Sequence, residues 1–176
     1  MGNPITIRKW HSLGLPSGNT AVENAILSLE GKTWPLIIDP QGQALDWISN
    51  MEKENKLVVT SFNQPDFIRT LESSIHFGTP LILENMEQEL DPIIDPILLH
   101  EEYRLDGRLV IKLRDKFIPY NENFKLYMIT KQASPALTPQ VAAKVNVINF
   151  SITSTALQEQ ILHTGLFLST LGCSNL

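Results

Sequence analysis

Cysteine is almost missing from this chain: Cys173, near the C-terminal end, is the single one. A disulfide framework and a zinc site built on several thiolates are therefore excluded. A cationic excess is missing too. Lys+Arg number 14 against 19 Asp+Glu, a formal net charge of -5, and the cations do not cluster. That excludes a duplex-DNA reader with a basic face, so no nucleic-acid partner is expected. No apolar run approaches the ~18 residues of a membrane-crossing helix, and Met1-Gly2-Asn3-Pro4-Ile5-Thr6 lacks the apolar segment of a secretion signal. His11, His76, His100 and His163 are scattered, with no pair at i, i+4, so no metal is expected. There is no G-x-S-x-G elbow, and Cys173 has no catalytic signature around it. The expectation is a reduced, soluble, intracellular protein without a membrane or metal partner.

What is present is ordinary globular composition, 43% hydrophobic and 19% charged. Residues 1–30 read as an irregular lead-in, broken by Gly14, Pro16, Gly18 and Asn19, with a short helix or strand over Glu23 to Leu29. Trp34-Pro35-Leu36-Ile37-Ile38 is a short apolar run that suits a buried strand, with Pro35 at its first position. After Asp39-Pro40-Gln41-Gly42-Gln43, the apolar residues Ala44, Trp47, Ile48 and Met51 fall at i, i+3, i+4, i+7, one helical face. Leu57 to Ser61 is a second strand. Asn63-Gln64-Pro65-Asp66 starts a helix whose face is Phe67, Ile68, Leu71 and Ile75 and whose stop is Gly78. Pro80 to Leu83 is a third strand, Phe124 to Ile129 a fourth and Val145 to Phe150 a fifth. A hairpin is predicted over Leu109–Leu113 and Phe117–Tyr120, around an Arg114-Asp115 turn of poor chemistry. The acidic stretch Glu84 to Glu102, with Asp91-Pro92 and Asp95-Pro96 as turn formers, reads as a solvated loop. Its carboxylates lack the spacing of a calcium loop. A last helix is predicted from Ser154 to about Leu168. Alternating strands and helices point to an α/β domain with a parallel sheet, whose ligands dock outside the carboxyl ends of the strands.

Those ends lack nucleotide chemistry. A phosphate-binding loop needs G-x-x-x-x-G-K-[ST] after a strand and opening a helix. Gly31-Lys32-Thr33 is a false match, because its first glycine would be Ile26 and the tripeptide precedes its strand. In the correct place, with Gly42 as the second glycine, the first falls on Ile37, the lysine on Gln43 and the hydroxyl on Ala44. The phosphate-binding ammonium and the magnesium-binding hydroxyl are both absent. The third strand ends Leu81-Ile82-Leu83-Glu84-Asn85, with Glu84 at the magnesium-binding Asp position and Asn85 at the base position. Asparagine cannot accept a proton at neutral pH. Thr130, ending the fourth strand, suits a water-orienting role or a strand-end cap. Pro40, Gln41, Gly42, Gln43, Glu84, Asn85 and Thr130 thus read as a vestigial pocket, with no catalytic residue and no cofactor expected.

The strings Leu15-Pro16…Glu23-Asn24-Ala25-Ile26, Trp34-Pro35-Leu36-Ile37-Ile38-Asp39-Pro40-Gln41-Gly42-Gln43-Ala44…Trp47-Ile48 and Phe77-Gly78-Thr79-Pro80-Leu81-Ile82-Leu83-Glu84-Asn85 resemble the fifth AAA+ module of dynein heavy chains. Glu89-Leu90-Asp91-Pro92 and Ile148-Asn149-Phe150 continue the match, which covers residues 5 to 162 and looks axonemal. The resemblance implies a three-layer, P-loop-like AAA+ large subdomain over residues 31–162. Its mostly parallel five-stranded sheet would have order 5-1-4-3-2 and carry a β-hairpin insertion. Residues 163–176 form a divergent tail. The resemblance also implies a non-hydrolysing ring member of a microtubule motor in the axoneme of a cilium or flagellum. Its partners would be the neighbouring AAA+ modules, and dynein subunits and microtubules through the parent chain. A weak ATP-binding or hydrolysing domain with a degenerate loop is the alternative. Lys144 stands where other modules carry an arginine finger, which makes it a candidate inter-module contact. A lysine there lacks the bidentate fork. The chain is expected to be a piece of a much longer heavy chain, and to expose apolar surface meant for neighbours.

Overall fold

The computed structural model describes residues 3–86 and 90–151. Five strands form one wholly parallel sheet: β1 (Pro35–Ile38), β2 (Val58–Ser61), β3 (Leu81–Glu84), β7 (Leu126–Thr130) and β8 (Asn146–Asn149). Their order is β2-β3-β7-β1-β8. Counting these five alone, that is the expected 5-1-4-3-2 read from the other edge. Pro35 is the first residue of β1, where its missing N–H is tolerated.

Each central strand buries both faces, so side chains alternate between two cores. Leu36, Leu81, Leu83, Leu126 and Met128 face one core. There they meet Phe67, Leu71 and Ile75 of helix α4 (Phe67–Phe77). Ile37, Ile82, Tyr127, Ile129 and Ile148 face the other, against Ala44, Trp47 and Ile48 of α3 (Gln43–Met51). Helices α3 and α4 form where the apolar spacing places them. Gly78 ends α4 in the left-handed conformation, φ 70°.

The irregular reading of residues 1–30 is corrected. Two helices occupy the segment, α1 (Pro4–Ser12) and α2 (Asn19–Glu30). Gly14, Pro16 and Gly18 break the chain between them, not within them. Asn3 caps α1 by accepting the Ile5 N–H at 3.1 Å, and Pro4 sits in the first turn. Trp10 and Leu15 then reach the α3 core, with Trp10 edge-on to Trp47 at 6.0 Å. Helix α2 covers the edge strand β8. The Asn24 amide donates to the Asn149 carbonyl at 2.7 Å, and the Asn146 amide to that of Leu27 at 3.2 Å. Gly31 follows α2 directly. A Cβ there would come within 2.7 Å of the Leu27 carbonyl, so Gly31-Lys32-Thr33 is the helix-to-strand turn.

The inserted unit has three antiparallel strands: β4 (Glu102–Leu105), β5 (Arg108–Leu113) and β6 (Lys116–Pro119). The expected β5–β6 hairpin forms with Arg114 at φ 53° in place of a glycine. The added strand β4 turns into β5 through Asp106-Gly107, both at positive φ.

The reading of Glu84–Glu102 as a solvated loop is also corrected. Asp91 accepts the Ile93 N–H at 3.0 Å and starts a 3-10 turn over Pro92–Ile94, which runs into α5 (Asp95–Leu98). Ile94, Ile97 and Leu98 are buried against Ile111 and Phe124 in the α4-side core. A further short helix, α6 (Pro139–Lys144), is capped by Thr138 just before β8. The helix predicted from Ser154 to Leu168 lies outside the described residues.

Candidate nucleotide site

The strand register sets the site. Ile38 pairs with Thr130, and Leu83 with Met128, so the ends of β1, β7 and β3 lie along one edge of the sheet. The segments Asp39–Gln43, Glu84-Asn85 and Thr130-Lys131 leave that edge together. The predicted pocket residues therefore lie at the carboxyl ends of three adjacent strands.

The β1–α3 loop is short, running from Asp39 to Gly42. Ile37, where the first glycine of a phosphate loop would fall, is buried inside β1 and paired with Ile129 and Ile148. Ile38, Asp39, Pro40 and Gln41 supply the four residues that the motif places before its second glycine, but Ile38, like Ile37, lies in β1, so the loop itself is Asp39 to Gly42. Gly42 takes φ 77°, which glycine allows at little cost, and its N–H meets the Asp39 carbonyl at 3.3 Å. Gln43 opens the helix and Ala44 is buried.

Asp39 is the residue that the sequence reading leaves without a role. Its side chain has no exposed surface. One carboxylate oxygen accepts the Gln43 N–H at 3.0 Å, and the other accepts the Leu45 N–H at 3.0 Å. Burial pushes its carboxyl above the ordinary 3.8, and the backbone N–H groups of Leu45, Gln43, Ala44 and Gly42 pull part of that back. An acid between a strand end and a helix start is the sequence signal for this arrangement.

Glu84 is half-buried at the end of β3, while Asn85 is exposed at φ 56°. The Thr130 hydroxyl donates to the Met86 carbonyl at 3.3 Å and accepts the Gln132 N–H at 3.3 Å. It joins the loops after β3 and β7, as a strand-end cap does. Lys144, at the end of α6, donates to Asp95 at 2.9 Å, so its ammonium is held within the module.

Over residues 8–168 the chain matches the family model described as the ATP-binding dynein motor region. The chain belongs to that family. It is 44% identical over 162 residues to dynein axonemal heavy chain 1 of Rattus norvegicus. The same coverage gives 45% identity to dynein axonemal heavy chain 3 of Mus musculus and 43% to dynein axonemal heavy chain 6 of Homo sapiens. Each match takes in 92% of this chain and 4% of the relative, so the chain spans a small part of the curated relatives it matches. The resemblance drawn from the IDPQGQA string therefore holds. This is the fifth-module segment of an axonemal-type dynein motor region, with the AAA fold. Among the described residues, no helix of this dynein segment is long and apolar enough to cross a membrane.

Proposed function

We propose that this module is a structural, non-hydrolysing member of a dynein motor ring. It passes conformational change between the neighbouring AAA+ modules of the same heavy chain. Through the parent chain it works with dynein subunits and microtubules, in the axoneme of a cilium or flagellum. The observation that carries the reading is the β1–α3 segment: its first-glycine position, Ile37, is a buried residue of β1, and it has Gln43 and Ala44 where an ammonium and a hydroxyl are needed. Asn85 at the base position and Thr130 in a capping role support it. Pro40, Gln41, Gly42, Gln43, Glu84, Asn85 and Thr130 are then remnants of a pocket. The Lys144–Asp95 pair supports a tether inside the module over a finger aimed at a neighbour.

Thermal melting with increasing ATP-Mg²⁺ tests this, because a ligand of the folded state raises the melting point by mass action. The expected result is a melting point unchanged at millimolar ATP-Mg²⁺. A rise of several degrees, lost on changing Gly42 or Gln43, supports the weak ATP-binding alternative and contradicts the proposal.

A further inference from the structure

The first backbone N–H groups of any helix lack partners within it and, with the helix dipole, favour an anion. In this chain the anion is part of the protein. The Asp39 N–H is fixed to the Thr130 carbonyl at 2.8 Å, which places the residue in line with β1. The Gly42 N–H turns back onto the Asp39 carbonyl, so the loop folds the Asp39 side chain against the helix that follows it. Its two oxygens take separate donors, the N–H groups of Gln43 and Leu45, each at 3.0 Å. Both oxygens thus act as acceptors, the role a carboxylate fills. The side chain is fully buried, so bulk water does not compete for these bonds.

We propose that Asp39 is an internal stand-in for a phosphate: its carboxylate fills the anion seat at the start of α3 and shuts the loop to nucleotide. The inference rests on the proposed function and adds the device that keeps the remnant pocket closed. Absent ammonium and hydroxyl groups only weaken binding. A seated carboxylate excludes it, since an incoming phosphate must displace two buried hydrogen bonds and lie beside a like charge. The loop is thereby held in one conformation whatever the nucleotide supply, as a part that relays motion requires.

Asp39→Ala removes the carboxylate and leaves its place empty, and formate or inorganic phosphate can be offered in its stead. The variant should melt about 3–6 °C below the unaltered chain, the shift that losing a helix cap of ~1–2 kcal/mol gives a domain of this size. Sodium formate or phosphate, against sodium chloride at matched ionic strength, should then raise the melting point of the variant in a saturable way. The same anion should move the Gln43 and Leu45 amide resonances, and should leave the unaltered chain unmoved. Asp39→Ser, which keeps one acceptor, serves if the alanine variant does not fold, and should show a smaller loss and a smaller anion response. The inference is overturned if the folded variants respond to neither anion, or if the unaltered chain responds as strongly as they do. Such a result leaves the missing ammonium and hydroxyl, on which the proposed function stands, untouched; ATP-Mg²⁺ binding by the unaltered chain contradicts that function separately.

Discussion

Glu52 shows how a single buried charge holds two elements of this module together. It lies just past α3 and is almost fully buried. It accepts from the Asn55 amide at 2.6 Å, the Tyr127 hydroxyl at 2.9 Å and the Lys125 ammonium at 3.0 Å. Burial alone raises its carboxyl. The bonds from Asn55, Lys125 and Tyr127, with the Lys125 charge, outweigh that and leave it below the ordinary 4.5. A depressed carboxyl adds stability above its unfolded value and loses it as pH falls through the folded one. Asp39 has the opposite sign: its raised carboxyl adds stability below 3.8 that is lost as pH rises through its folded value. Glu52→Gln should therefore cost about 1–3 kcal/mol at neutral pH. The gap from the unaltered chain should narrow only below the ordinary 4.5, in urea melts taken across pH. A gap that stays constant through acid contradicts the charged role. For Lys144 and Asp95, both about one-third exposed, a double-mutant cycle should return only ~0.2–1 kcal/mol of coupling. A coupling of several kcal/mol means that the pair is an anchor and not a surface tether.

At the scale of elements, Gly78 is the sharpest test. It closes α4 at φ 70°, and a Cβ there would lie 2.6 Å from the Asn121 side chain. Gly78→Ala meets both the left-handed penalty, roughly 1–2 kcal/mol, and this clash. Chemical denaturation should show a loss above that range, and Asn121→Ala in the same chain should recover the excess. Recovery of none of it locates the strain in the backbone alone. The stop at Gly78 was readable from sequence, as were α3 and the five strands, because amphipathic spacing and short apolar runs mark them directly. Other elements gave weaker signals. Every residue of β4 is exposed, so no alternation announces it, and the Asp106-Gly107 turn is its one local mark. Helix α6 has six residues, too few for a periodic face, and is set by Thr138-Pro139 at its start. The α5 region was masked by its acids, which cover a buried face of Ile94, Ile97 and Leu98. In the site, the missing chemistry of positions 43, 44 and 85 was legible, since it depends only on residue type. The closure by Asp39 has only a faint mark, an acid between a strand end and a helix start, because it depends on the loop turning the side chain back onto α3.

At the scale of the molecule, apolar side chains remain in solvent on several faces. Ile5 is 76% exposed and Phe77 68%, and Tyr103, Leu105 and Phe117 are about half exposed on the inserted sheet. Tyr103 and Phe117 meet edge-on at 6.2 Å, and exposed apolar surface of this kind suits contact with neighbours, so the isolated chain should self-associate. Sedimentation velocity over a concentration series should show mass rising with concentration; a clean monomer at high concentration contradicts that expectation. The central claim, that the edge of this parallel sheet holds no nucleotide, is tested most directly by a crystal structure grown in excess ATP-Mg²⁺. The account predicts Asp39 still bonded to Gln43 and Leu45, with no ligand density at the loop. A triphosphate bound to the backbone of residues 42–45, with Asp39 displaced, contradicts it.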